Sequence, residues 1–243
     1  MDLRGKVALV TGGGRRVGRA LALALAGRGS TVAVHYNESE TGAREAAETI
    51  AKQKGRAETF AADLTQDEAP ADLVKRVVDK LGQLDVLVNS AAIMMRTPFG
   101  EIAVSDWDRI FALNLRAPFL LAQAAAPHLR RTKGAIVNIA DLAAFETWPA
   151  YIPHGLSKSG IVHLTKALAR VLAPDVRVNA IAPGTVLLPE HLSPKDATHL
   201  KQTTPLKRDG SPEDVASAML FLLDADYVTG ETIIVDGGRH VRR

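Results

Sequence analysis

The sequence predicts a single-domain α/β protein, a doubly wound parallel sheet of about seven strands with helices on both faces. Three observations lead there. Short apolar runs alternate with amphipathic helical stretches almost to the end of the chain. The runs are apolar on both faces, as strands of a parallel sheet covered by helices are. The first run, Val7-Ala8-Leu9-Val10, breaks into Gly12-Gly13-Gly14 and enters an Ala/Leu-rich helical pattern. Such a strand–turn–helix unit lets backbone approach phosphate, with the free N–H groups of the helix start facing its charge.

The elements follow in order. The first strand, residues 6–10, feeds the glycine turn and the Ala/Leu helix at 17–27. Thr-Val-Ala-Val-His at 31–35 is the second strand, followed by a helix at 41–54 and a third strand at 57–60. A helix at 69–81 then precedes the apolar strand at 86–88. A long helical stretch covers 105–129, and the apolar run at 135–139 is the fifth strand. Helix 156–172, strand 177–181, helix 213–223 and strand 232–235 complete the alternation. The longest irregular region, 183–212, holds Pro183, Pro189, Pro194, Pro205 and Pro212. A loop of that length in such a domain is a lid or binding loop, so residues 185–212 are expected to cover a substrate. No repeat, low-complexity tract or linker divides the 243 residues, so the domain is expected to span 1–243.

Composition narrows the function. The chain is 47% hydrophobic and 23% charged, with a net charge of 30 − 27 = +3. Its basic residues are scattered apart from Arg15, Arg16, Arg19 and the end of the chain, which argues against a nucleic-acid partner. With no cysteine there is no disulfide, thiolate or Cys-based metal chemistry, and no metal is expected. Met1 leads into a charged segment, and no apolar run reaches the ~20 residues that span a bilayer. The expectation is a cytoplasmic protein with no membrane partner.

The carboxyl ends of the strands are where such sheets bind ligands. After strand one, Gly12 and Val17 belong to the turn, with Arg15 and Arg16 placed to meet an extra phosphate. Strand two ends His35-Tyr36-Asn37-Glu38. An NAD site needs an acid directly after that strand for the ribose hydroxyls, and Tyr36 stands there instead, so NADP(H) is favoured. Glu38 could temper the positive potential or simply begin the next helix. Strand three leads to Asp63-Leu64, where the carboxylate could hold an adenine amino group or cap the following turn.

Taken together, Thr11-Gly12…Gly18, Asp63, Asn89-Ser90-Ala91-Ala92, Asn114, Asp141, Lys158, Pro183-Gly184 and Asp236-Gly237-Gly238 resemble the short-chain dehydrogenase/reductase family over essentially the whole chain. Arg16, Asp141, His35-Tyr36 and Thr97-Pro98 resemble its pteridine reductase branch. The resemblance implies a Rossmann-type fold and NADP(H) as cofactor. Asn89 and Ala91 would lie behind the cofactor, Asn114 would anchor a water, and Lys158 would bind the nicotinamide ribose. Pro183, Gly184 and Thr185 would bracket the carboxamide, and Asp141 would deliver a proton or orient the substrate. It also implies a homo-oligomer, a tetramer, built on the helices at 105–129 and 156–172, with Leu120, Leu121, Ile161, Leu164 and Leu168 as candidate interface residues.

One position departs from that pattern. The family's proton donor is a tyrosine four residues before the lysine, and here it is His154. Three readings stand at this point. His154 replaces the phenol as general acid; Tyr151 or Asp141 supplies the proton through a water; or reduction is lost and an NADP-binding shell remains. The aromatic ring that pteridine reductases stack on pterin is also missing, with Ile93-Met94-Met95 in its place and Phe145 and Trp148 as possible substitutes. The lead is an NADPH-dependent reductase of a small carbonyl or pterin-type substrate. A 3-oxoacyl carrier-protein reductase-like activity and a silent NADP-binding protein are the alternatives.

Overall fold

Seven strands form one parallel sheet in the computed structural model, which describes residues 1–186 and 194–241. They are β1 (Val7–Val10), β2 (Thr31–Tyr36), β3 (Arg56–Ala61), β4 (Val86–Asn89), β5 (Ala135–Ile139), β6 (Arg177–Pro183) and β7 (Thr232–Val235). Their order is β3-β2-β1-β4-β5-β6-β7, so the chain reverses direction across the sheet between β1 and β4. Loops diverge at that switch point and leave a crevice above the carboxyl ends.

The helices are α1 (Arg16–Gly27), α2 (Glu40–Lys52), α3 (Ala69–Leu81), α4 (Val104–Phe111), α5 (Ala117–Thr132), α6 (Ile152–Leu172), α7 (Pro194–Thr203) and α8 (Pro212–Asp224). Alternate strand residues face opposite sides, which builds two cores. On one side Ala8, Val10, Val32 and Val34 pack with Leu21 and Leu25 of α1, Ile50 of α2 and Met219 of α8. On the other, Leu9, Ala33, Leu87 and Ile136 pack with Leu73 and Val77 of α3, Leu121 of α5 and Leu172 of α6. Every side chain of β1, β4 and β5 is buried, which is why these runs carry no polar alternation.

Three differences from the sequence expectations have local causes. The stretch at 105–129 is not one regular helix: residues Ala112–Arg116 form a π turn between α4 and α5. Pro118 stands in the first turn of α5 and has no N–H to donate to the carbonyl of Asn114 four residues back, so the ladder widens there. Helix α6 starts at Ile152 rather than 156, because Pro153 is tolerated in a first turn. Within the expected irregular region 183–212 lies α7, and residues 187–193 of the expected lid fall outside the described residues.

The interface candidates divide. Leu121 and Ile161 are each 1% exposed and belong to the protein's own interior, a correction to their expected place on an outer face. Their positions on α5 and α6 turn them toward the sheet. Leu120, Leu164 and Leu168 remain half-buried. No helix among the described residues is long and apolar enough to cross a membrane.

Candidate active site

The glycine turn is held open by close backbone contacts. Gly12 has φ +64°, and a Cβ there would lie 3.1 Å from the Cα of Ala91. At Gly18 a Cβ would strike the carbonyl oxygen of Gly12. Side chains at either position would close the cradle. Thr11 ties the turn to β4, its hydroxyl accepting from the N–H of Ser90 at 2.9 Å and of Ala91 at 3.0 Å. Arg15 begins α1 without a side-chain cap, and the first helical turn carries no acidic residue. The N–H groups of that turn are therefore not taken by a side-chain cap, and Arg15 and Arg16 are exposed with no side-chain partner among the described residues. An uncapped helix start, a glycine cradle and two free guanidinium groups fit a dinucleotide phosphate chain.

The remaining residues expected at the cofactor surround that turn. Val17 and Tyr36 are half-buried against the core of the α1 side, while Asn37 is exposed. His35 is buried beneath the turn rather than in the crevice, bonded through both ring nitrogens to backbone. Asp63 accepts from the N–H and hydroxyl of Thr65 and from the amide of Gln66. The Thr65 hydroxyl bond holds its carboxyl below the usual range. It thus caps its turn, and the next residue, Leu64, is buried. Asn89 donates to Asn138 at 2.8 Å between the interior strands β4 and β5, leaving its own buried oxygen without a partner. Pro183 ends β6, and Gly184 packs against Asp236, where a Cβ would sit 2.6 Å from the aspartate's own.

A second cluster stands at the carboxyl ends of β4 and β5, where α6 begins. Lys158 is 4% exposed and donates to the carbonyl of Ile139 at 2.7 Å. Burial pushes its pKa down to about 8, with Asp141 opposing that shift. One turn earlier, His154 is 2% exposed. Its Nδ1 lies 3.1 Å from the carbonyl of Ile93. A carbonyl only accepts, so Nδ1 carries the hydrogen. The Asn114 amide cannot claim that nitrogen: Asn114 accepts from the N–H of Ile93 and donates to the Ile93 carbonyl and to Ser157 Oγ, at 2.8, 2.9 and 3.1 Å. Nε2 of His154 is left buried without a hydrogen-bond partner, 3.7 Å from Oδ2 of Asp141. The other Asp141 oxygen accepts from the N–H of Ala143 at 2.8 Å and fixes the carboxylate at the turn.

Asn114, Asp141, His154 and Lys158 are therefore brought together. Tyr151 is not part of that cluster. It is half-buried at the residue before α6, bridged to Thr97 and edge-on to Trp148 at 6.2 Å between ring centroids. Trp148 in turn donates to Glu146. Phe145 and Met94 are 49% and 52% exposed. The carbonyl of Ile93 and the hydroxyl of Ser157 organise the cluster, and the sequence reading missed both. A carbonyl has no residue signature, and Ser157 reads as an ordinary helix serine.

Comparison with known proteins agrees with this geometry. A family profile described as Enoyl-(Acyl carrier protein) reductase matches residues 13–240. The chain is 37% identical to a 3-oxoacyl-[acyl-carrier-protein] reductase of Synechocystis sp., covering 97% of each protein. It superposes on a dehydrogenase/reductase from Sinorhizobium meliloti with a TM-score of 0.92 at 34% identity, covering 98% of this chain and 97% of that one. For acetoin dehydrogenase YohF from Salmonella typhimurium the TM-score is 0.90 at 33% identity, with the same coverage. Strand order, glycine cradle, buried lysine and full-length similarity together place the chain in the short-chain dehydrogenase/reductase family of nicotinamide-dependent oxidoreductases.

Proposed function

We propose that the protein reduces a small carbonyl substrate with NADPH, using His154 and Asp141 as its proton source. The observation that carries this reading is the orphaned Nε2 of His154, buried and facing Asp141 at 3.7 Å. A buried polar atom without a partner in such a place calls for one, and a substrate oxygen can be that partner. When bound, the cofactor supplies the hydride. The chain's residues do the rest. The glycine turn and the start of α1 hold the pyrophosphate, and Arg15 and Arg16 take the 2′-phosphate. Lys158 holds the nicotinamide ribose. In its doubly protonated form His154, its charge faced by Asp141, gives the Nε2 proton to the substrate oxygen as the carbonyl becomes an alcohol; the ring is left as the neutral Nδ1–H form and takes its next proton from solvent. Asn114 and the Ile93 carbonyl keep the Nδ1 hydrogen in place, so Nε2 is the nitrogen that gains and loses the proton.

Small carbonyl substrates are supported by relatives whose names specify 3-oxoacyl-[acyl-carrier-protein] reductase and acetoin dehydrogenase activities. For a pterin, Asp141 is the supporting residue, while Met94 occupies the place of a stacking ring and Phe145 and Trp148 line the neighbouring loop. Residues 185–212 would cover the substrate as a lid, in a cytoplasmic homotetramer. The experiment is a fluorescence titration with NADPH, then NADPH oxidation against 3-oxoacyl thioesters, small diketones and dihydropterins. Turnover of a carbonyl substrate supports the reading; tight binding without turnover on the whole panel assigns the chain to the silent class.

A further inference from the structure

His35 is the penultimate residue of β2 and is 2% exposed, its ring spent on backbone partners. Its Nδ1 accepts from the N–H of Gly12 at 3.1 Å, and its backbone carbonyl accepts from the N–H of Gly13 at 2.9 Å. Its Nε2 donates to the carbonyl of Ala62 at 3.0 Å. Two consecutive N–H groups of the glycine turn thus end on one residue, which also grips the chain just before Asp63. The partners fix the tautomer, since Gly12 can only donate and the Ala62 carbonyl can only accept. Burial drives the ring's pKa down to about 4, the Ala62 bond opposing and Arg76 adding to the shift. The imidazole therefore keeps its Nδ1 lone pair at neutral pH.

We propose that His35 is a positioning residue for the cofactor, setting the Gly12–Gly13 turn from below without touching the ligand. The inference rests on the cofactor reading above. Gly12 lies in a confined place, with φ +64° and the Cα of Ala91 3.1 Å from where a Cβ would stand. Without an acceptor its N–H would be a part-buried donor with no protein partner, and the turn would shift to satisfy it. A shifted turn misplaces the N–H groups that meet the pyrophosphate, so affinity is lost without a direct contact being removed. The same ring couples the turn to the Ala62–Asp63 end of β3, on the adenine side of the crevice.

Three substitutions separate this role from mere filling of the core. Asn places its amide oxygen where Nδ1 now accepts, Gln reaches instead toward Ala62, and Leu fills space with no polar atom. NADPH dissociation constants are measured by fluorescence, alongside the melting temperature of the cofactor-free protein. A shift following the loss of one buried acceptor is about tenfold or more. His35→Leu and His35→Gln are expected to weaken NADPH by about that factor. His35→Asn is expected to stay within about threefold of the parent, although it too melts lower for want of the Ala62 bond. If His35→Leu does not fold, the Asn and Gln pair carries the comparison alone. Nitrogen-15 NMR of the parent should show the Nε2–H tautomer. Asn and Gln equally impaired, or affinity that follows melting temperature through the series, would overturn the role. A parent protein that binds no nicotinamide cofactor would overturn the functional reading as well, so the two failures are distinguishable.

Discussion

Nε2 of His154 faces Oδ2 of Asp141 across 3.7 Å, while Nδ1 of the same ring is tied to the Ile93 carbonyl at 3.1 Å. That spacing is too long for a hydrogen bond and short enough for the carboxylate to steer a proton added at Nε2. The ring is held on one edge and free on the other. An imidazole held this way is shorter than a phenol at the same position, so the proposed donor sits deeper in the pocket.

Restoring the longer donor should therefore raise the rate. His154→Tyr is expected to increase kcat by ~10-fold or more on a carbonyl substrate, since a positioned acid contributes about 10²–10⁴-fold. NADPH affinity should change by less than about twofold, because His154 lies away from the phosphate cradle. Steady-state kinetics with a parallel NADPH titration checks both. A rate at or below the parent's would show that the pocket has adapted to the imidazole.

Arg16 stands at φ +51°, a left-handed conformation that costs a non-glycine residue about 1 kcal/mol or more. Arg16→Gly should relieve that strain and raise the melting temperature by ~2–4 °C. The same change removes a free guanidinium from beside the expected 2′-phosphate, so the preference for NADPH over NADH should fall at least about tenfold. Stability and cofactor selectivity then move in opposite directions. Melting curves and paired titrations with the two cofactors read them separately.

The pKa of Lys158 is pushed from 10.5 to about 8, chiefly by burial. Its charge is lost as pH rises through about 8, and with it the grip on the ribose, so kcat/KM should decline above that value. The stability effect has the opposite sense to that of a paired lysine. Between pH 10.5 and about 8 the unfolded chain takes up the proton first, so the cost to the folded state grows as pH falls and is complete below about 8. It is of order 3 kcal/mol. Lys158→Met should accordingly stabilise the cofactor-free protein at pH 7, show little gain near pH 10.5, and abolish turnover. Chemical denaturation at the two pH values tests the sign.

The outer side of α4, α5 and α6 carries a cavity of about 960 Å³ lined by Phe111, Leu115, Phe119 and Leu164 among others. Trp107 stacks on Phe111 there at 4.7 Å. Phe119 is 45% exposed. A tetramer should be found by light scattering at micromolar concentration, and Phe119→Glu should shift it to smaller species by placing charge on that face.

Much of this was legible in the sequence, for reasons that differ by element. β1, β4 and β5 were clear because a strand buried on both faces is almost wholly apolar, Asn89 and Asn138 being the polar exceptions and satisfying each other in part. The break at Ala112–Arg116 was not, because a π turn leaves no periodic signal, although Pro118 marks the place where the ladder must slip. That Lys158 and Asp141 would share a site was expected from the family resemblance, and the structure brings the two near each other. The role of His35 was not, because the residue that precedes a ligand loop and the residue that supports one look alike in sequence. Only its two backbone partners tell them apart. Leu121 and Ile161 looked like interface residues because a helix with an apolar stripe does not say which of its neighbours is another chain.

The proton source is tested most directly by single-turnover NADPH oxidation at saturating cofactor, comparing the parent with His154→Phe and Asp141→Asn. His154→Phe should lower the rate by ~10²-fold or more, with NADPH affinity within about twofold of the parent. Asp141→Asn, which keeps the bond to the Ala143 N–H but removes the charge facing Nε2, should fall between the two. If His154→Phe turns over as fast as the parent, the imidazole delivers no proton, and the assignment of His154 and Asp141 as the source is wrong.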